Sequence, residues 1–83
     1  MAQLIRTARQ LGAALSNERL RKGLTQQSLS RLTGIGQKTI SQIETGKEGA
    51  KLETVFTLLA ALGLELQIAA RSKASAQEID EIF

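Results

Sequence analysis

Gln37-Lys38-Thr39-Ile40-Ser41-Gln42-Ile43-Glu44 gathers, within one short run, the side chains best suited to reading another polymer. Carboxamides donate and accept at once, hydroxyls can do either, and an ammonium seeks oxyanions. These groups hydrogen-bond base edges and phosphates. With Ile40 at zero and a step of about 100° per residue, Ile43 and Glu44 fall within roughly 60° of it and form an inner face. Lys38 and Gln42 fall on the opposite side, Thr39 and Ser41 flank them, and Gln37 stands at the helix start. Gln37, Lys38, Thr39, Ser41 and Gln42 are therefore the candidate base-reading set. The loop Thr45-Gly46-Lys47-Glu48-Gly49-Ala50-Lys51 follows, and its two lysines and two glycines suit it to lie along a sugar-phosphate backbone. Lys47 and Lys51 are the candidate phosphate contacts. A merely solvated face would carry the same residue types, so the setting has to decide.

The setting is a pair of short helices. Thr25 is a good N-cap, Leu29 and Leu32 recur at helical spacing, and Gly34 can take the left-handed conformation that ends a helix. The turn Gly34-Ile35-Gly36 is too short for a long loop, so the helices must cross steeply and present the second to a major groove. Ile35, apolar within a turn, points to a turn tucked against a core. Upstream, a helix is expected over roughly Ala8 to Lys22, opened by a Thr7/Gln10 capping box and closed by Gly23. Its apolar stripe is Leu11, Ala14 and Leu15, continued by the stem of Arg19. Arg21 and Lys22 could touch phosphate, but a solvated C-terminal turn favoured by the helix dipole is the simpler account. Leu4 and Ile5, in an N-terminal arm over residues 1–6, either pack on a neighbouring chain or fray. Downstream, a helix over Leu52 to Leu62 places Leu52, Val55, Phe56, Leu59 and Leu62 on one face. Leu58 widens that face, so the helix is expected to be buried on nearly two sides.

From Leu64 the period changes to two: Leu64, Leu66, Ile68 and Ala70 alternate with Glu65, Gln67 and Arg71. A lone strand leaves its backbone groups unpaired, and no second clear strand exists in the sequence. Pairing with the same strand of a second molecule across a two-fold axis is the economical solution. Pairing with residues 1–6, or frayed continuation of the preceding helix, are the weaker alternatives. The last segment starts as a small-residue linker and ends with Ile79, Ile82 and Phe83 at helical spacing after a Ser75/Glu78 capping box. Those three residues would suit docking to a partner; a disordered tail is the competing account.

Charge and composition agree with a polyanion binder. Residues 1–73 hold all 11 Lys and Arg against five Glu, whereas the last ten residues hold three acids and no base. The basic body suits nucleic acid and the acidic tail should point away from it. Only 2% of residues are aromatic and there is no proline, so a small aliphatic helical core is expected in a single 83-residue domain. Without Cys or His, neither a disulfide framework nor a zinc site is expected, and no cofactor or metal. The scattered carboxylates assemble no catalytic constellation, so no enzyme is expected. No signal peptide or membrane-spanning run is legible, and a cytoplasmic location is expected.

The pattern Leu11-Gly12-x-x-Leu15-x-x-x-Arg19-x-x-x-Gly23-Leu24-Thr25-Gln26, followed by Gly34-Ile35 and Thr39-Ile40-Ser41-x-Ile43-Glu44-x-Gly46-Lys47, resembles the Xre-type, lambda-repressor-like helix-turn-helix family. Ser30 departs from it, since that family usually has Ala there. The resemblance implies that Gln26 touches phosphate, that Gln37, Lys38 and Gln42 read bases, and that Arg19 pairs with Glu44 as a buried ion pair. The helix-to-strand ending over Leu58 to Leu66 is similar to HipB-type antitoxins. That similarity implies a homodimer on palindromic double-stranded DNA, an autoregulated operon, and a HipA-type serine/threonine kinase toxin as partner. The expected fold is mainly α, a four- to five-helix domain with a C-terminal β-strand that pairs between subunits. Its parts are the arm at 1–6, the DNA-binding domain at 7–63, the dimerisation strand at 64–71 and the acidic tail at 72–83. The alternative function is a stand-alone Xre-type regulator without a toxin. A module that kept the fold but lost DNA binding is disfavoured by Lys38, Gln42 and Lys47.

Overall fold

A computed structural model describes residues 3–71. Residues 1–2 and 72–83, including the expected docking residues Ile79, Ile82 and Phe83, lie outside the described residues. Four helices follow one another: α1 (Ala8–Arg21), α2 (Gln26–Thr33), α3 (Gln37–Glu44) and α4 (Leu52–Ala61). There is no strand among the described residues.

Local chemistry sets these boundaries. The Gln10 N–H donates to Thr7 Oγ1 at 3.0 Å and opens α1. The return bond of the capping box reaches one residue further than expected, because it is the Arg6 N–H that donates to the Gln10 carboxamide. The Ser28 N–H donates to Thr25 Oγ1 at 2.9 Å and opens α2, which ends at Gly34 with φ 76. The other three helices finish alike. Gly23, Gly46 and Gly63 donate to Leu20, Ile43 and Ala60, and the next residues, Leu24, Lys47 and Leu64, donate to Arg19, Gln42 and Leu59, all at 2.8–3.1 Å. Each pair satisfies two carbonyls that a helix end would otherwise leave bare.

Helix α3 lies against both α1 and α2, and α2 also packs on α4. Leu15, Leu29, Ile40, Ile43, Val55, Leu58, Leu59 and Leu62 form the core, joined by the partly buried Leu11, Leu24, Ile35 and Leu64. Each fully buried Leu or Ile contributes about 1.5–3 kcal/mol relative to exposure. The apolar assignment for α4 needs correction. Its packed face is Val55, Leu58, Leu59 and Leu62, whereas Leu52 and Phe56 are 64% and 46% exposed. On a helix at about 100° per residue these two fall on one flank of the packed stripe. Among the described residues the helix is buried on one side, not on nearly two. Leu32 is likewise exposed, although Leu29 at the same spacing is fully buried. Beyond Gly63, Leu64 packs on the core, while Leu66 and Ile68 extend into solvent, the latter 96% exposed.

Candidate nucleic-acid interface

The inner side of α3 is held from three directions. Ile40 is fully buried and Ile43 nearly so. Arg19 of α1 donates from Nε to Glu44 Oε2 at 2.7 Å and from Nη2 to Oε1 at 3.0 Å, a two-pronged pair with side chains only 10% and 6% exposed. Its Nη1 donates to the Leu24 carbonyl at 2.8 Å. Gln26 of α2 donates from Nε2 to Glu44 Oε1 at 3.1 Å. One carboxylate thus ties α1, α2 and α3 together, and no buried side-chain polar atom among the described residues lacks a partner. Burial alone would raise the Glu44 carboxyl, but the hydrogen bonds from Arg19 and Gln26 and the Arg19 charge outweigh it, and its pKa lies below the ordinary value. The Glu44 hydrogen bond raises Arg19 further above its ordinary range.

Gly12 makes a second joint. A Cβ on Gly12 would stand 2.6 Å from the Glu44 carbonyl oxygen and 2.8 Å from its carbon, and against the Ile43 carbonyl oxygen as well. The backbone of α1 therefore touches the last carbonyls of α3. Gly46 repeats the arrangement from the other side, at φ 83, with its Cβ position 2.7 Å from the Arg9 Cα. A glycine inside a helix costs about 1 kcal/mol relative to Ala, and here close packing explains it.

Held this way, α3 turns its other side outward. Gln37, Lys38 and Thr39 are exposed, and Ser41 and Gln42 are half-buried. The loop after α3 is tied back to it, since the Thr45 hydroxyl donates to the Ser41 and Gln42 carbonyls at 3.1 and 3.0 Å. Between helix and loop runs an open groove of about 430 Å³. It is lined by Ile35 of the turn, by Thr39, Gln42 and Ile43 of α3, by the loop from Lys47 to Lys51, and by Thr54 of α4. Lys47 and Lys51 are exposed along it. Gln26 lies apart from this groove, half-buried, with one of its two amide donors spent on Glu44. Leu64, Leu66, Ile68 and Ala70 lie past α4 and are separate from the groove lining. Three features escaped the sequence reading. The Gly12 contact had a signal in the glycine interrupting a helical pattern; the Gln26–Glu44 bond and the place of Glu48 in the groove wall had none.

The outward polar helix, short turn and inner ion pair coincide with a match to the Helix-turn-helix family model over residues 15–68. The chain belongs to the Xre-type helix-turn-helix family. Antitoxin HipB of Escherichia coli strain K12 is 32% identical over 79 residues, which make up 95% of this chain and 90% of HipB. An uncharacterized HTH-type transcriptional regulator of Haemophilus influenzae is 41% identical over 54 residues, 65% of this chain but only 55% of that protein's length. Among solved structures, the HipA–HipB–O2–O3 complex contains a chain that superposes with a TM-score of 0.79 at 32% identity, covering 86% of this chain and 100% of that one. This Xre-type protein is a helix-turn-helix transcriptional regulator of HipB-like fold, and its family is not one of known enzymes. None of its described helices is long and apolar enough to cross a membrane.

Proposed function

We propose that this regulator is a homodimeric repressor that binds a palindromic operator of its own operon and serves as the antitoxin of a HipA-type serine/threonine kinase. The observation that carries the reading is the extent of the HipB likeness. It covers 95% of the chain and so runs beyond the helix-turn-helix through segment 64–71. A solved HipB complex includes HipA, which supports a kinase partner here. In this reading Lys38 and Gln42, with Gln37, Thr39 and Ser41, meet base edges, while Gln26, Lys47 and Lys51 meet phosphates.

Segment 64–71 supplies the dimer in this reading. Leu66 and Ile68 are exposed, and an alternating apolar row in open water favours a partner. Antiparallel pairing centred on Ile68 sets Glu65 opposite the partner's Arg71 and Leu66 opposite the partner's Ala70, so that opposite charges meet on the wet face. Leu64 and Ala70 complete the interface row. Two helix-turn-helix units joined this way would read half-sites about one helical turn, or a multiple of it, apart. Ile79, Ile82 and Phe83 are proposed to dock the toxin.

The test pairs DNA with the toxin. The purified chain should shift DNA from upstream of its own reading frame in a salt-dependent way, and should co-purify with a kinase encoded next to it. Ile68→Pro should give monomers by sedimentation and sharply weaker operator binding. An intact dimer for that variant would place the interface elsewhere. Removing residues 74–83 should weaken the kinase complex while leaving operator binding in place. The Haemophilus likeness, confined to 54 residues, favours a second reading as a stand-alone regulator. Operator binding without any kinase capture would select it.

A further inference from the structure

Glu48 is the one acid in the wall of the groove beside the recognition helix. It is exposed, lies in sequence next to Lys47, and shares the groove with Lys47, Lys51 and Gln42. Among the described residues the ion pairs are Arg19–Glu44, Glu18–Arg21 and Glu18–Lys22, so its carboxylate contributes to none of them. Its position is nevertheless built. The Lys47 N–H donates to the Gln42 carbonyl at 3.0 Å, which fastens the loop to the last turn of α3, and Gly46 and Gly49 bracket Lys47-Glu48 at φ 83 and 93. A Cβ on Gly49 would meet nothing within 4 Å, so the turn's backbone conformation, not crowding, asks for glycine there.

A carboxylate on a surface that approaches DNA needs a reason. It is an acceptor only, and phosphates, guanine N7 and O6, and thymine O4 all repel it. In a base pair the adenine amine lies between two acceptors, its own N7 and the thymine O4, whereas the cytosine N4 amine has the guanine O6 on one side and only the C5 hydrogen on the other. Discrimination requires a group that is rewarded by one partner and penalised by the rest. We propose that Glu48 is a specificity-determining residue of the DNA-facing surface: it accepts a hydrogen bond from a cytosine amine in each half-site and opposes binding where that amine is missing. The inference rests on the DNA-binding reading above. It adds a base-reading position outside α3.

The experiment selects duplexes from a randomised pool at fixed salt with the full chain as wild type, Glu48→Ala and Glu48→Gln. Wild type should enrich cytosine at one position per half-site, by about tenfold over other bases. Glu48→Ala should lose that enrichment and bind unmatched duplex several-fold more tightly, with a log–log salt slope steeper by up to about one. Glu48→Gln should shift the preference from cytosine to adenine, whose N6 and N7 suit a carboxamide. Thermal melts of both variants should match wild type, because Glu48 is exposed and its carboxylate joins no ion pair among the described residues. Unchanged base preference in both variants overturns the proposal. A steeper salt slope without a change in base preference also overturns it, since the carboxylate then only repels. Absence of any duplex selection by wild type would instead sink the DNA-binding reading itself.

Discussion

Helix α3 has two sides that obey different physics. The inner side is dry and redundantly held: Ile40 and Ile43 in the core, Glu44 shared by Arg19 and Gln26, and its last carbonyls against Gly12. The outer side, Gln37, Lys38 and Thr39, is wet and exposed along its whole length. The two sides are eight residues of one helix, yet stability belongs to one, and the other is left free for the recognition proposed above. A binding surface that reads bases must keep its donors free, and it can do so only if something else fixes the helix.

The strongest way to break that division is to strand a charge on the inner side. Arg19→Ala or Glu44→Ala should each cost roughly 3–5 kcal/mol in denaturant unfolding, because the remaining partner is left buried and unpaired. Unchanged melting in both would show that the pair contributes nothing. Its pH dependence has a definite sign. The folded-state pKa of Glu44 lies below the ordinary glutamate value, so its contribution is complete above that value. It is lost as pH falls through the lowered pKa, and acid titration of wild type should be steeper than that of Glu44→Ala.

Gly12→Ala comes next. Its methyl group would press on the last carbonyls of α3, and overpacking of this kind costs about 1–3 kcal/mol. A thermal melt equal to wild type would mean that α1 and α3 separate freely. Substitutions on the outer side should reverse the pattern. Lys38→Ala should leave unfolding unchanged, and both Lys38→Ala and Gln42→Ala should weaken operator binding by about 1–3 kcal/mol, with non-specific binding nearly intact. Operator affinity equal to wild type in both would move the reading surface off this face. The smallest effect belongs to the loop: Lys47→Ala and Lys51→Ala should lower affinity for all sequences alike and each flatten the log–log salt slope by about one. A loss confined to operator sequence would make them base readers instead.

Much of the inner side is legible in the sequence alone. Ile40, Ile43 and Glu44 share a face because a helix repeats every 3.6 residues, and that arithmetic needs no tertiary information. Thr7, Thr25 and Gly34 marked helix ends through bonds made within a few residues. The loss came with α4. Periodicity ranked Leu52 and Phe56 with the core, but only the placement of the neighbouring helices decides which apolar flank is covered, and Val55, Leu58 and Leu59 are the ones buried. Gln26 shows the same limit, because a carboxamide serves equally a phosphate or a carboxylate, and its bond to Glu44 depends on where three helices meet.

The sequence by itself determined where four helices lie, the caps at Thr7, Gly23, Thr25, Gly34 and Gly63, the short turn between α2 and α3, and which side of α3 is polar. These follow from interactions between residues a few positions apart, where chain connectivity leaves little freedom. Tertiary structure alone decided that Gly12 lies on the carbonyls of Ile43 and Glu44, that one carboxylate joins three helices, and that Glu48 faces the same groove as Gln42. Those contacts link residues that are distant in sequence or set by the path of a loop, and no spacing rule encodes the angle at which two helices cross.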